Sequence, residues 1–305
     1  MKDSMYNYMK VGIIHFMAYP QVLKGEGPIL ETMKEILDDD YFTAIEVSWI
    51  KNDKVKEEAR DLLKRSGKSV GFGGQPPLLV NKLSLNALEK QEREKAILQS
   101  KTSIDDAYFL GAGGMAVLSG KYEGDSNRRF QTDALIDSIK ELCDYARSKG
   151  DMPVILETFD RDIDKRSLIG PTREAVKVAE EVKKRCDNFG LMIDLSHLPL
   201  LKETPKESLN MAKPHLIHVH IGNCVIKDKT HPAYGDWHPM FGIKEGENGV
   251  DELVEFLKAL MDIGYLNNLK PSIVSFEVKP FGDQTSQEVI QNAKDTLNAA
   301  WKILS

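Results

Sequence analysis

Residues 189–199 read FGLMIDLSHLP. The apolar run Leu191-Met192-Ile193 stops at Asp194, and His197 follows three residues later. A short, uninterrupted apolar segment of this kind suits a strand covered on both faces, as in a parallel sheet. An Asp and a His where such a strand ends are placed to hold a metal or a substrate. Three other apolar strands end similarly: VILET in Glu157, HLIHVHIGN in His220 and IVSFEVKP in Glu277.

Apolar, β-branched runs recur along the chain: Val11–Phe16, Thr43–Trp49, Ser69–Gly73, Met115–Leu118, Val154–Thr158, Leu191–Leu195, Leu216–Ile221 and Ile273–Val278. Their mean spacing of about 37 residues accommodates a strand, a helix and two loops. Eight such units predict an α/β fold of the (β/α)8 TIM-barrel type, forming a single domain over 1–305. Apolar residues at three- and four-residue spacing predict helices over Ile29–Leu37, Leu83–Phe109, Thr132–Lys149, Pro171–Arg185, Val250–Ile263 and Thr285–Leu304. Thr285-Ser286-Gln287-Glu288 supplies a capping start for the last of these. A doubly wound sheet is the alternative, but no G-x-G-x-x-G follows the first strand, and GAGG at 111–114 leads into a strand.

The 305 residues are 41% hydrophobic and 29% charged, with a net charge of -6, a profile without the basic footprint of a nucleic-acid binder. Cys143, Cys186 and Cys224 are odd in number and widely spaced, which favours a reducing compartment over a disulfide framework. The polar start MKDSMYNYMK lacks a secretory apolar region, and no run is long enough for a membrane span. Cytoplasmic localisation, with neither membrane nor nucleic acid as partner, is the expectation.

Two connections are long. Gly73–Leu83 (GGQPPLLVNKL) follows the third strand, and residues 222–249 follow the seventh, carrying Tyr234, Trp237, Phe241, His231 and His238. Loops on the C-terminal side of barrel strands select substrate, so Gln75 and His238 are candidate substrate contacts. A self-packed Ω-loop is the plainer account of the second connection.

Inside a barrel mouth, Glu157 and Glu277 would repel each other unless a cation compensates. With Asp194 and His220 they form an O3N set suited to Mn2+, with Zn2+, Co2+ or Mg2+ as alternatives. A network of ion pairs is the competing explanation. His218 shares a strand face with His220 and sits deeper, as a core residue or a support for the ligand. His197 is a ligand or, by preference, a substrate contact. His15 lines the mouth or packs. Glu46 in AIEVSW pairs with a Lys or Arg or is catalytic.

Glu157 in ILETFD, Asp194 and His197 in IDLSH, His220 in HVHIGN and Glu277 in SFEVKP together resemble the xylose-isomerase-like TIM-barrel superfamily, which includes sugar isomerases, sugar epimerases and type-2 apurinic endonucleases. The resemblance implies Mn2+ on Glu157, Asp194, His220 and Glu277, proton transfer by the two Glu residues, and sugar contact by His197. The endonuclease branch fits less well: FGGQPP and VLSGKYEG lack the histidines of its three-zinc cluster, although Asp236-Trp237-His238 is similar to its Asp-x-His pair. The stretches 157–172, 220–242 and 246–266 resemble the catalytic subunit of bacterial C-glycoside deglycosidases, which cleave a carbon–carbon bond in 3-oxo-C-glycosides with a small β-rich partner subunit. Gly222-Asn223-Cys224-Val225 departs from ketose epimerases, which tend to carry an Arg shortly after the strand-seven His. Both chemistries begin by removing a proton α to a carbonyl, with Glu157, Glu277 or His197 as the base. The expected activity is therefore a metal-dependent lyase acting on an oxidised sugar glycoside, with an isomerase or epimerase acting on a free sugar as the alternative.

Overall fold

The computed structural model describes residues 3–304; residues 1, 2 and 305, the outer ends of the expected domain, lie outside them. The strands are β1 (Met9–Ile13), β2 (Ala44–Val47), β3 (Ser69–Gly73), β4 (Met115–Leu118), β5 (Val154–Glu157), β6 (Phe189–Asp194), β7 (Leu216–Gly222) and β8 (Ser272–Glu277). They form one parallel sheet in the order β1-β8-β7-β6-β5-β4-β3-β2. The ring is completed between β1 and β2 by a parallel bridge from Ile14 to Glu46 and a hydrogen bond from Thr43 N to Val11 O, 2.8 Å. All four residues of β2, β4 and β5 are buried, as a sheet covered by helices outside and packed side chains inside requires.

Eight outer helices surround the described barrel: Ile29–Leu37, Asp53–Ser66, Lys90–Leu110, Arg128–Lys149, Thr172–Lys183, Pro205–Ala212, Val250–Asp262 and Ser286–Leu304. The expected cap at Thr285 is present: its hydroxyl accepts from Glu288 N while Glu288 Oε2 accepts from Thr285 N. Two helices lack a sequence signal. Asp53–Ser66 buries only Ala59 and Leu63, and Pro205–Ala212 is short. The expected helix over Leu83–Phe109 starts at Lys90 instead. Its first residues are held as turns because Asn86 Nδ2 donates to Lys121 O and Leu85 O accepts from Ser138.

Register shifts once, between β6 and β7. Leu191 pairs with Leu216, but Met192 pairs with His218 and Asp194 with His220. Ile217 is the extra residue, a β-bulge whose side chain lies over Gly190, where a Cβ would meet it at 2.4 Å. Beyond the bulge, Asp194 and His220 stand side by side.

Candidate active site

Glu157, Asp194, His220 and Glu277 converge at the C-terminal mouth of the barrel. One ligand atom from each lies within 4.8 Å of every other, and all four side chains are buried. The adjacent cavity of about 170 Å3 is walled by Glu157, His220 and Glu277, with Gln75, Lys165, Asp236 and His238 beside them. Glu157, Asp194 and Glu277 are the last residues of β5, β6 and β8, and His220 lies two residues before the end of β7, paired with Asp194.

His220 is fixed from both sides. Its Nδ1 lies 2.8 Å from Glu277 Oε2, and its Nε2 lies 3.1 Å from Glu46 Oε2. Glu46 also meets His218 Nε2 at 2.7 Å. Glu46 therefore pairs with two imidazoles rather than with a Lys or Arg. Gly71 leaves the space for it, since a Cβ there would meet Glu46 Cγ at 2.9 Å. Burial pushes the Glu46 carboxyl up, but the charges of His218 and His220 outweigh it and hold it well below the usual carboxylate range. Burial likewise opposes a charge on His220, yet the Glu46, Glu157 and Glu277 carboxylates raise its pKa well above the ordinary value. Asp194 is raised, by burial first, with Glu277 adding to it.

Glu157 Oε1 and Asp194 Oδ2 are buried without a hydrogen-bond partner. Buried carboxylate oxygens of this kind are costly unless a cation meets them. An O3N set with orphaned oxygens fits a divalent ion, and the Glu46–His220 contact is the carboxylate–histidine support such centres use.

Gln75 opens a short helix, Gln75–Val80, inside the first long connection. Its Nε2 donates to Glu157 Oε2 at 2.7 Å, while its Oε1 remains buried and unpartnered. His238 reaches the cavity from the second long connection. Its Nε2 lies 2.9 Å from Asp236 Oδ1 and 3.3 Å from Glu277 Oε1. Gly222 permits this approach, because a Cβ there would meet Glu277 O at 2.5 Å and His238 Nδ1 at 3.1 Å. The connection is tied down where Asn223 Oδ1 accepts from Glu247 N and Asn248 N, and where Lys279 N donates to His238 O. His238 itself has a φ of +57°, an unfavourable backbone for a residue with a Cβ and one that clusters at functional sites. Burial lowers its pKa, but Glu277 and Asp236 outweigh this and raise it to about 9.

Two expectations need correction. His15 does not line the mouth: the chain leaves β1 before it, and a short helix, His15–Ala18, turns its Nε2 to Thr32 Oγ1 at 2.8 Å. Burial there lowers its pKa to about 3. His197 begins another short helix, His197–Leu201, and is fully buried behind Asp236 and outside the cavity wall. Its Nδ1 meets Thr158 O at 2.7 Å, its Nε2 faces Asp236 Oδ1 at 3.0 Å, and its ring packs on Phe159. In this geometry it supports Asp236, and its ring is not part of the cavity wall. Glu46 was named at its strand end but with other partners; Asp236 and Lys165 are the site residues that sequence reasoning did not select. Only the Asp236-Trp237-His238 triplet carried a signal for either of them.

The three cysteines are free. No helix of the described residues is long and apolar enough to cross a membrane.

A family model described as "Xylose isomerase-like TIM barrel" matches residues 37–298. Similar solved structures include D-psicose 3-epimerase with D-tagatose from Clostridium cellulolyticum H10, at 17% identity and a TM-score of 0.68 over 97% of this chain and 100% of that one. An AP endonuclease, family 2, from Brucella melitensis aligns at 18% identity and 0.67, over 92% and 97%. The 3-keto-D-glucoside 4-epimerase YcjR from E. coli, apo form, aligns at 15% identity and 0.66, over 95% and 99%. No curated protein sequence matches the chain.

Proposed function

The chain belongs to the xylose isomerase-like TIM barrel family, and from that premise we propose that it is a divalent-metal-dependent isomerase or epimerase of a sugar carrying a carbonyl group. The observation that carries this reading is the convergence of Glu157 and Glu277 with Asp194 and His220 within 4.8 Å. The similar epimerase structures support it. Mn2+ is the preferred ion for the O3N set, with Zn2+, Co2+ and Mg2+ as alternatives. Bound there, it supplies Lewis-acid stabilisation of the negative charge that develops on the sugar oxygens.

The residues do the rest. One of Glu157 and Glu277 takes the proton from the carbon next to the carbonyl, and the other returns a proton to the resulting enediolate. Gln75 donates to Glu157 Oε2 and so aims that carboxylate, leaving Oε1 free of protein partners. His238, 3.3 Å from Glu277 Oε1, is placed to hold or relay a proton on Glu277. General acid–base steps of this kind contribute about 10²- to 10⁴-fold. The test is incubation of the Mn2+-loaded protein with free ketohexoses and a 3-oxo-glucoside in D2O. Solvent deuterium at the carbon next to the carbonyl, lost on adding EDTA, supports the reading. Absence of exchange in every sugar overturns it.

A second reading shares the first step and ends differently. The enediolate of a 3-oxo-C-glycoside expels the aglycone, whose carbon takes the bonding electron pair and then a proton. Phe16, Met17, Leu23 and Leu79 form an apolar side of the same cavity, and Leu79 and Trp237 remain 45% and 39% exposed, a surface suited to a flat apolar aglycone. A small β-rich partner subunit belongs to this lyase reading. Release of free aglycone from a 3-oxo-C-glucoside, followed by chromatography with and without such a subunit, separates it from epimerisation.

A further inference from the structure

Beside the four proposed ligands lies a second convergence. Asp194, His197 and His238 offer ligand atoms within 4.8 Å of one another. Asp236 Oδ1 lies 3.0 Å from His197 Nε2 and 2.9 Å from His238 Nε2. Neither Asp236 oxygen makes a directed hydrogen bond, and His197 Nε2 makes none. Two imidazoles and two carboxylates in this arrangement would suit a second divalent ion.

A lysine stands in the way. Lys165 Nζ lies 2.9 Å from Asp236 Oδ2 and 2.8 Å from Asp164 Oδ2, with its side chain 25% exposed. Its position is built into the loop after β5. Buried Asp160 collects three backbone amides: Ile163 and Asp164 on Oδ2 at 2.7 and 2.8 Å, and Lys165 itself on Oδ1 at 2.7 Å. Downstream, Arg161 grips Ser167 O, Leu168 O and Glu174. Gly235 packs against Asp164, so this loop and the loop carrying Asp236 are in contact. Electrostatics agree: burial opposes the charge on Asp236, but Lys165 first, then His197 and His238, hold its pKa well below the usual range.

We propose that Lys165 is a built-in counter-ion to Asp236 that keeps the His197–Asp236–His238 cluster from taking a second divalent cation, so that the protein works with one. This rests on the reading that Glu157, Asp194, His220 and Glu277 hold an ion. The ammonium satisfies Asp236 with a single fixed charge and would repel a divalent ion placed between the two imidazoles.

The experiment is a count of ions per chain. Full-length protein is stripped with chelator, reloaded separately with Mn2+ and Zn2+, desalted and measured by elemental analysis. Wild type should retain one ion and Lys165→Met two, while Lys165→Met/Asp236→Asn should return to one. Lys165→Arg, which keeps the charge, should stay at one. Lys165→Gln repeats the measurement with a polar side chain should the Met variant not fold. Two ions in wild type, or one in a folded Met or Gln variant, overturns the proposal. No ion in wild type instead overturns the metal centre itself.

Discussion

At its N-terminal mouth the barrel encloses about 860 Å3, and at its C-terminal mouth about 170 Å3. The larger space exists because inward positions carry little: Gly71, Gly114 and Ala116 line it. Lys10, Lys183 and Lys213 are among the residues that line it. The smaller space is small because carboxylates, imidazoles and an ammonium crowd into it. Volume and chemistry therefore lie at opposite ends of the same strands, and it is the crowded end that pays the cost of burying charge. Glu46 and His218 touch the large cavity from inside the barrel while reaching His220, so they tie the two ends together.

Substitutions at the crowded mouth should have the largest effect. Glu157→Gln or Glu277→Gln should lower turnover by about 10²- to 10⁴-fold and weaken metal binding. Full activity in either variant, measured by deuterium exchange or product formation, would dissolve the contrast between the mouths. Next comes Glu46→Gln, which leaves all four proposed ligands in place but removes the charge behind His220. A loss of about 10- to 100-fold in metal affinity by calorimetry is expected; unchanged affinity would confine Glu46 to packing.

The third effect is on stability and depends on pH. His238 has its pKa raised to about 9 in the metal-free fold. The folded state then binds more protons than the unfolded state above pH 6.5, so stability from this group is complete below that pH and is lost as pH rises through 9. Metal-stripped protein should melt at a lower temperature at pH 9.5 than at pH 7, and His238→Asn should flatten that dependence. Fourth, Thr285→Ala removes a helix cap on the reactive side but outside the cavity. It should cost about 1 kcal/mol of unfolding free energy with turnover intact. Smallest of all, Lys213→Ala at the rim of the large cavity should leave both turnover and metal affinity unchanged. A measurable loss there would give the empty end a role.

The four convergent side chains were legible because doubly covered strands are written as apolar runs, and a charge at the end of such a run stands out. Glu46 was visible but misread. Its partners His218 and His220 are 172 and 174 residues away, and no local pattern connects them. His15 was read as lining the mouth or packing, with β1 running to Phe16; an early turn into His15–Ala18 sends it to Thr32, where it packs. The Asp236–Lys165 pair joins two irregular loops, where neither the helical nor the strand period applies, and only the fold brings them together. Helix Asp53–Ser66 escaped for the opposite reason: it is regular, but two buried positions make too faint a stripe.

The bulge at Ile217 acts as a parity switch. Side chains along a strand alternate between barrel interior and helix layer, so pairing and facing must share one counting frame. Leu191 and Leu216 are partners in register, yet the inward set on β6 is even-numbered through Asp194, and that on β7 is even-numbered through His220. One uncounted residue reconciles the two frames. Deleting Ile217 would therefore leave Met192 opposite His218 and Asp194 opposite His220, whereas deleting the paired Val219 while the start of β7 stays paired would turn His220 outward and strip the centre of its only nitrogen donor without altering a single proposed ligand. Loss of one paired residue here is thus a change in active-site composition.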